Sequence, residues 1–365
     1  MSGPLDAVVA VRTDRSFVRV HGRDPVKMVQ GLVSNDIVNA SPGRAVYAAV
    51  LTPKGKMVAD VRVLRHGADL LLETDVGAAE ALMAHLRKFV PPLFAKFEDA
   101  NASWGEVGVY GAAAHDVLAK VFNADVRAGA REDELIMGSF DGAGADPVSS
   151  VDPLLTDAPP SGEPQPDALR SARVAVMIVA TSQFGVPGFD VMLPEAQLES
   201  ALEALLTAGA RPIGHAALEV MRIEAGRPRW GMELTENTIP LEAGLRDRAI
   251  SQTKGCYTGQ EVIVRILHRG HVNWILRKVL LGEVEVPAAE TALVNRDDGK
   301  KVGRITSAVV SPRYGQTIAL AYVRREVEPG AEVRLEEGGG RMVTVVEADA
   351  EPIMQNGRAR HGNAH

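Results

Sequence analysis
The chain has 365 residues, 46% of them hydrophobic, enough apolar material at the usual ~150 residues per domain to set an expectation of two or three domains. A formal charge of -7 excludes the concentrated cationic face that wraps nucleic acid, so no direct nucleic-acid binding is expected. No apolar run reaches the ~18 residues of a membrane span, residues 1–13 lack the basic start and apolar stretch of a signal peptide, and a single cysteine excludes an internal disulfide or a self-contained cysteine metal site. A cytoplasmic protein with no membrane partner and no metal of its own is expected.

Residues 15–20 alternate as a strand. Asp24-Pro25-Val26 then opens a helix, with Asp24 as N-cap and Pro25 at the first helical position, turning Met28, Val29 and Leu32 inward. Residues 47–51 and 56–64 read as strands around a Pro53-Lys54-Gly55 turn, and residues 69–74 as another. Residues 77–89 carry Leu82, Leu86 and Phe89 at helical spacing and are stopped by Pro91-Pro92. Strands over 94–97 and 106–110 and a helix over 112–122 follow. This alternation, without a glycine-rich phosphate loop, predicts an α+β architecture on antiparallel sheet.

Residues 139–170 are dense in Gly, Pro, Asp and Ser without apolar period, which predicts a flexible linker whose loss spares the fold. Strands over 174–180 and 188–193 resume, then an amphipathic helix over 195–207 with Gly209 near its end, and a helix over 215–225 with Glu224 at its C-terminal edge. Residues 265–278 gather Arg265, His268, Arg269, His271, Arg277 and Lys278 without an acid; a solvated face and a seat for an anionic ligand tail are both open. From Trp274 onward, short β-rich segments with turns at Asp298-Gly299, Pro312, Gly315 and Pro329-Gly330 predict a small antiparallel β-barrel, and residues 351–365 a disordered polar tail.

The only cysteine stands in Lys254-Gly255-Cys256-Tyr257-Thr258-Gly259-Gln260-Glu261, between two glycines. Two readings are open: a thiol filling a core gap, or a placed thiol whose reactive thiolate is favoured by Lys254. No HExxH, paired metal spacing or G-x-S-x-G nucleophile motif accompanies it.

Those eight residues match K-G-C-[FY]-x-G-Q-E, and the chain thereby resembles the YgfZ family, folate-binding relatives of the glycine-cleavage T-protein (aminomethyltransferase). Further blocks agree in order: Gln30-Gly31-Leu32-Val33-Ser34-Asn35-Asp36, Leu51-Thr52-Pro53-Lys54-Gly55-Lys56, Arg222-Ile223-Glu224-Ala225-Gly226, Pro240-Leu241-Glu242-Ala243-Gly244-Leu245 and Gly303-Arg304-Ile305-Thr306-Ser307-Ala308. The likeness covers residues 5–347, with a gap near 140–170.

The resemblance implies three domains around a central channel for tetrahydrofolate or a derivative. The partition it suggests is residues 1–52 with 171–250 as a first α+β domain, 53–138 as a second, 139–170 as linker, 251–273 as the signature segment and 274–350 as the barrel. It implies Glu224 as the carboxylate pairing with the pterin's donor edge, in a charge-assisted bond, and Asp60 as the residue that positions the folate. T-proteins carry two consecutive acids there and this chain has Ala59-Asp60, which sets a general acid/base role for Asp60 in question. Asn35, Asp36 and Trp230 are expected along the channel, Tyr257 stacking on the pterin, and Gln260 with Glu261 orienting the Cys256 loop. The implied role is folate-dependent support of iron–sulfur cluster assembly or repair in client enzymes, including those that modify tRNA, with Cys256 as the working thiol and Lys254 beside it. The alternatives are a true aminomethyltransferase moving a one-carbon unit to tetrahydrofolate from a lipoyl carrier protein, and a non-catalytic module of the same fold; whether catalysis occurs is left open.

Overall fold
A computed structural model describes residues 6–66, 68–142, 173–336 and 340–352. In chain order the elements are β1 (Val8–Val11), β2 (Arg15–His21), α1 (Pro25–Gln30), β3 (Val46–Leu51), β4 (Met57–His66), β5 (Asp69–Asp75), α2 (Ala79–Phe89), β6 (Lys96–Asp99), β7 (Trp104–Tyr110), α3 (Ala114–Val121) and β8 (Leu135–Asp141). Then come β9 (Arg173–Thr181), β10 (Gly188–Pro194), α4 (Leu198–Thr207), β11 (Arg211–Pro212), α5 (His215–Glu224), α6 (Arg246–Ala249) and α7 (Gln260–Arg269). The remainder is β12 (Trp274–Gly282), β13 (Ala292–Asn295), β14 (Lys301–Ser311), β15 (Gln316–Arg324), β16 (Glu332–Leu335) and β17 (Met342–Val346). None of the described helices is long and apolar enough to cross a membrane.

The strands make two open sheets and a closed barrel. One sheet runs β3-β4-β5-β2-β6, the other β11-β1-β7-β10-β9-β8, and the barrel β12-β15-β14-β13-β16-β17. The α+β class and the antiparallel C-terminal barrel are as expected. The strand pairing divides the chain differently from the expected partition. Residues 15–99 supply one whole sheet, while β1 leaves it to pair with β7 and β11, because the short crossing at Arg12–Asp14 carries the chain from one sheet to the other.

Alternation explains the layers. In β4, Ala59, Val61 and Val63 enter a core with Val18, Val20, Leu70 and Leu72, while Asp60 and Arg62 share the opposite face. Helix α2 covers that core with Leu82 and Leu86, fully buried, so truncating either to Ala should cost about 2–5 kcal/mol. In β15, Ala319, Ala321 and Val323 fill the barrel, whereas Ile318, Leu320 and Tyr322 point outward and dock it onto Ile223 of α5, Leu234 and Tyr257.

Two local expectations need correction. Asp24 flanks α1 but makes no side-chain capping bond; Pro25 at the first turn is as read. The linker expected from residue 139 begins inside β8, since Ser139, Phe140 and Asp141 pair with Ala175, Val174 and Arg173 of β9; the rest of it, residues 143–172, lies outside the described residues, as do residues 353–365 of the tail. Residues 348–350, the end of the expected barrel segment, pack back against it and against α5. Lys278 Nζ, on a fully buried side chain, donates to the carbonyl of Ala350 at 2.7 Å, to that of Glu224 at 2.8 Å and to Tyr314 Oη at 2.6 Å. Gly226 (φ +70°) lies against the Ala348 carbonyl so closely that a Cβ has no room.

Candidate functional site
A cavity of about 330 Å³ opens where both open sheets meet α5. The Arg12–Asp14 crossing, the Asp60/Arg62 face of β4, Tyr47 of β3, Glu73 of β5, His215, Glu219 and Arg222 of α5, the following Arg227–Trp230 segment and Arg248 of α6 all line it. Sheet register builds its floor. Tyr47 pairs with Arg62 and Ala49 with Asp60 across β3 and β4, so these side chains stand on one face, and Arg62 sits opposite Glu73 of β5.

Behind the floor lies a buried ion network. Arg62 Nη1 reaches Asp190 Oδ2 at 2.8 Å and its guanidinium meets Glu73; Arg12 Nη1 donates to Tyr110 Oη at 2.8 Å, and Tyr110 Oη donates to Asp190 Oδ1 at 2.7 Å. Burial works to raise the carboxyl of Asp190, but Arg62 and Arg12 outweigh it and hold it below the usual range. Glu106 beside it is pushed well up, by burial first and then by Glu73 and Asp190, and neither of its oxygens has a hydrogen bond among the described residues.

The groups left for a ligand are few. Asp60 Oδ2 accepts from Tyr47 Oη at 2.9 Å, while Oδ1 is buried without a partner among the described residues; burial raises this carboxyl, offset in part by Arg15 and by the tyrosine bond. Nε of Arg227 and of Arg229 are likewise buried and unbonded. Arg229 Nε lies 3.8 Å from Glu219 Oε2, and a cavity lined by an unbonded carboxylate oxygen together with these guanidinium groups suits a ligand with both N–H donors and an anionic end.

Position 59 lies on the opposite face of the strand, with Ala59 fully buried in the core beneath α2, so a second acid there cannot reach the cavity. The Ala59-Asp60 departure therefore removes nothing from the site. Trp230 lines the cavity and packs beside Gly77.

Glu224 does not line it. It ends α5 about half a turn past Arg222, and Oε1 accepts from Ser311 Oγ and from the Arg313 backbone N–H, at the seam with the barrel. The helix face toward the cavity belongs instead to Glu219 and Arg222, and Arg222 is tied to Glu219, to Glu233 at 2.9 Å and to Ser307 at 2.9 Å.

Asn35 and Asp36 line a neighbouring hollow of about 460 Å³ that shares Tyr47, Asp133 and Arg248 with the central cavity. Asp36 is spent on its own turn, accepting from the backbones of Val38 and Asn39 and from the Gln30 amide.

The signature loop stands apart from the cavity. Cys256 is exposed and lines neither the central cavity nor the hollow beside it, which rules out the core-filling reading. Lys254 is buried, and its three N–H donors go to the carbonyls of Gln30 (2.7 Å), Val33 (2.6 Å) and Asn35 (2.9 Å), leaving none for the thiol. Burial brings its pKa down to about 8.

Tyr257 sits beneath that ammonium, 5.1 Å from ring centroid to Nζ, in the core shared with the barrel, so it does not stack in the cavity; burial pushes its hydroxyl up to about 12. Gln260 and Glu261 open α7 outside the cavity lining. Gly259 has φ +82°, and a Cβ there would stand 2.5 Å from the Thr52 carbonyl, so packing of α7 onto the β3–β4 turn dictates the glycine. The basic run divides: Arg265, His268, Arg269 and His271 are exposed, Arg277 pairs with Glu347 and Lys278 is buried, and none of them lines the central cavity.

Two open sheets, antiparallel except for the parallel β1–β11 pair, meet at a charge-lined cavity with a six-stranded barrel docked beside it. The model of the GCVT N-terminal domain matches residues 13–132 and 166–254, and that of the glycine cleavage T-protein C-terminal barrel domain matches residues 278–350. The chain belongs to the glycine cleavage T-protein family. An aminomethyltransferase of Rubrobacter xylanophilus is 30% identical over 322 residues, covering 88% of this chain and 77% of the relative. One of Ralstonia pickettii is 28% identical over 344 residues, covering 91% and 82%. The glycine cleavage system aminomethyltransferase T of Bartonella henselae shares the fold, with a TM-score of 0.74 at 20% identity over 94% of this chain and 85% of that one. The family's cofactor is tetrahydrofolate, and a cavity lined by the unpartnered Asp60 oxygen and by Arg227 and Arg229 fits it.

Proposed function
We propose that the central cavity holds tetrahydrofolate with Asp60 as its principal polar contact and serves one-carbon transfer of the aminomethyl type. The observation that carries this is the buried, unpartnered Oδ1 of Asp60 at the floor of an arginine-lined cavity. A buried acceptor lacking a bond is costly until a donor reaches it, and bound folate supplies N–H donors while its glutamate carboxylates suit Arg227 and Arg229. When bound, the folate is the one-carbon carrier. Asp60 orients it, the Tyr47 bond keeps the carboxylate turned toward the cavity, and Trp230 shields one side from water. The aminomethyltransferase names of relatives aligned over most of the chain favour this chemistry.

A second reading is favoured by one specific observation: Cys256 is exposed, outside the cavity, in the loop that resembles the YgfZ signature. A solvent-facing thiol is available to a protein partner, which fits support of iron–sulfur client enzymes, including tRNA-modifying ones, with folate as cofactor. Calorimetry with 5-formyltetrahydrofolate tests the shared part, with binding expected near the micromolar range (about -8 kcal/mol). Aminomethyl transfer from a lipoyl carrier then separates the readings: turnover that survives Cys256→Ser supports the first, and absent turnover with thiol-dependent rescue of iron–sulfur enzymes supports the second. Absence of both would leave a non-catalytic module.

A further inference from the structure
Asn35 reads from the sequence as a ligand contact, but the structure gives its side chain other work. Its Nδ2 donates to the Tyr47 carbonyl at 2.9 Å and to the Arg248 carbonyl at 3.0 Å, and its Oδ1 accepts from the Asp36 N–H at 2.9 Å. Both amide hydrogens are thus committed. Ser34 bridges the same two segments one step away: its Oγ accepts from the Ala49 N–H at 2.9 Å and donates to the Ala249 carbonyl at 2.6 Å. Two successive side chains therefore rivet β3 to α6. The loop carrying them is gripped from below by Lys254, whose ammonium takes the carbonyls of Val33 and Asn35.

The riveted segments bear the groups that control Asp60. Tyr47 donates to Asp60 Oδ2, and the Arg248 guanidinium lies 4.9 Å from the Tyr47 ring centroid while reaching Glu132 at 3.3 Å. Tyr47 and Arg248 both line the central cavity. We propose that Asn35 is a positioning residue: anchored through Lys254, it fixes Tyr47 and Arg248 against each other, so that the tyrosine hydroxyl holds one oxygen of Asp60 and leaves the other facing the ligand. This gives the lysine of the signature loop a task in the cavity that needs no contact with Cys256. The inference rests on the reading that the cavity binds a folate.

The test is a coupling measurement on the full chain, titrated with 5-formyltetrahydrofolate. Tyr47→Phe and Asn35→Ala should each weaken binding by about tenfold, and the double variant should be no worse than twofold beyond the weaker single variant, because both act through one bond. In an Asp60→Asn background, Asn35→Ala should add less than about twofold. Multiplying losses, or unchanged affinity in Asn35→Ala, would overturn the proposal. Asn35→Ser, which keeps one donor, serves if the alanine variant does not fold, with an intermediate loss expected and wild-type affinity counting against. Should wild type not bind the folate, the ligand reading fails by itself and the positioning claim is decided without ligand. The Asp60 carboxyl, faced by Tyr47 from β3, Arg15 from β2 and Asp75 from β5, is followed by ¹³C NMR against pH. Loss of the tyrosine bond must move its titration upward in both Tyr47→Phe and Asn35→Ala; a titration that moves only in Tyr47→Phe sinks the role given to Asn35.

Discussion

The central cavity and the signature loop are both rich in polar groups, yet they satisfy them in opposite ways. The cavity withholds partners: among the described residues Asp60 Oδ1 and Arg227 Nε are buried without a hydrogen bond, and Arg229 Nε has only Glu219 at 3.8 Å. The loop spends every donor of its buried lysine, Lys254, on a carbonyl, and exposes the Cys256 thiol. Unsatisfied buried polarity marks a place waiting for a small ligand, whereas satisfied polarity beneath an exposed thiol marks a rigid platform.

The largest effect should come from Asp60→Asn, which presents an amide where an ionised acceptor is needed. Folate affinity should fall by about 1.5–3 kcal/mol with the fold intact, and an unchanged titration would remove the cavity from the site. Glu224→Ala should leave that affinity within about twofold, because its carboxylate serves the barrel seam. Lys254→Met tests the platform. Three carbonyls lose their donor, so thermal unfolding should show a loss of about 1–3 kcal/mol, while alkylation of Cys256 should keep its rate; a large fall in that rate would mean the ammonium acts on the thiol after all.

Cys256→Ser should change neither stability nor folate affinity by more than about 0.5 kcal/mol, as expected for an exposed side chain off the cavity.

The smallest effect concerns Glu106. A carboxyl whose folded pKa is raised holds more protons folded than unfolded between the two pKa values, so its contribution to stability is lost as pH rises through that window. Glu106→Gln lacks this penalty, and its melting temperature relative to wild type should improve from acid toward neutral pH. A difference flat in pH would show that Arg12 and Arg62 already neutralise the carboxylate.

The barrel was legible from turn residues and period-2 patterning, and β4 was legible down to the placement of Asp60. The partition into sheets was not, since nothing in Arg12-Thr13-Asp14 announces a strand changing sheets; that depends on long-range pairing of β1 with β7. The site was half legible. Asp60 sits in a recognisable block and Trp230 stands out by its large planar side chain, but Tyr47, Arg227 and Arg248 are ordinary residues that the fold brings to the cavity. Glu224 lies off the cavity because helical phase decides direction. In the motif Arg222-Ile223-Glu224 both charges look equivalent, yet only the first turns toward the cavity, and the second is taken by Ser311.

The segment after β17 has a consequence for synthesis. Lys278 cannot complete its bonds until Ala350 arrives, more than seventy residues later, and the Gly226 turn meets Ala348 only at that moment. On the ribosome the two open sheets can therefore form while the seam between α5 and the barrel stays ajar, with a buried ammonium still hydrated. Closure of that seam waits for residues 348–350, and a chain stalled before them should present it to chaperones and proteases as an unfinished edge.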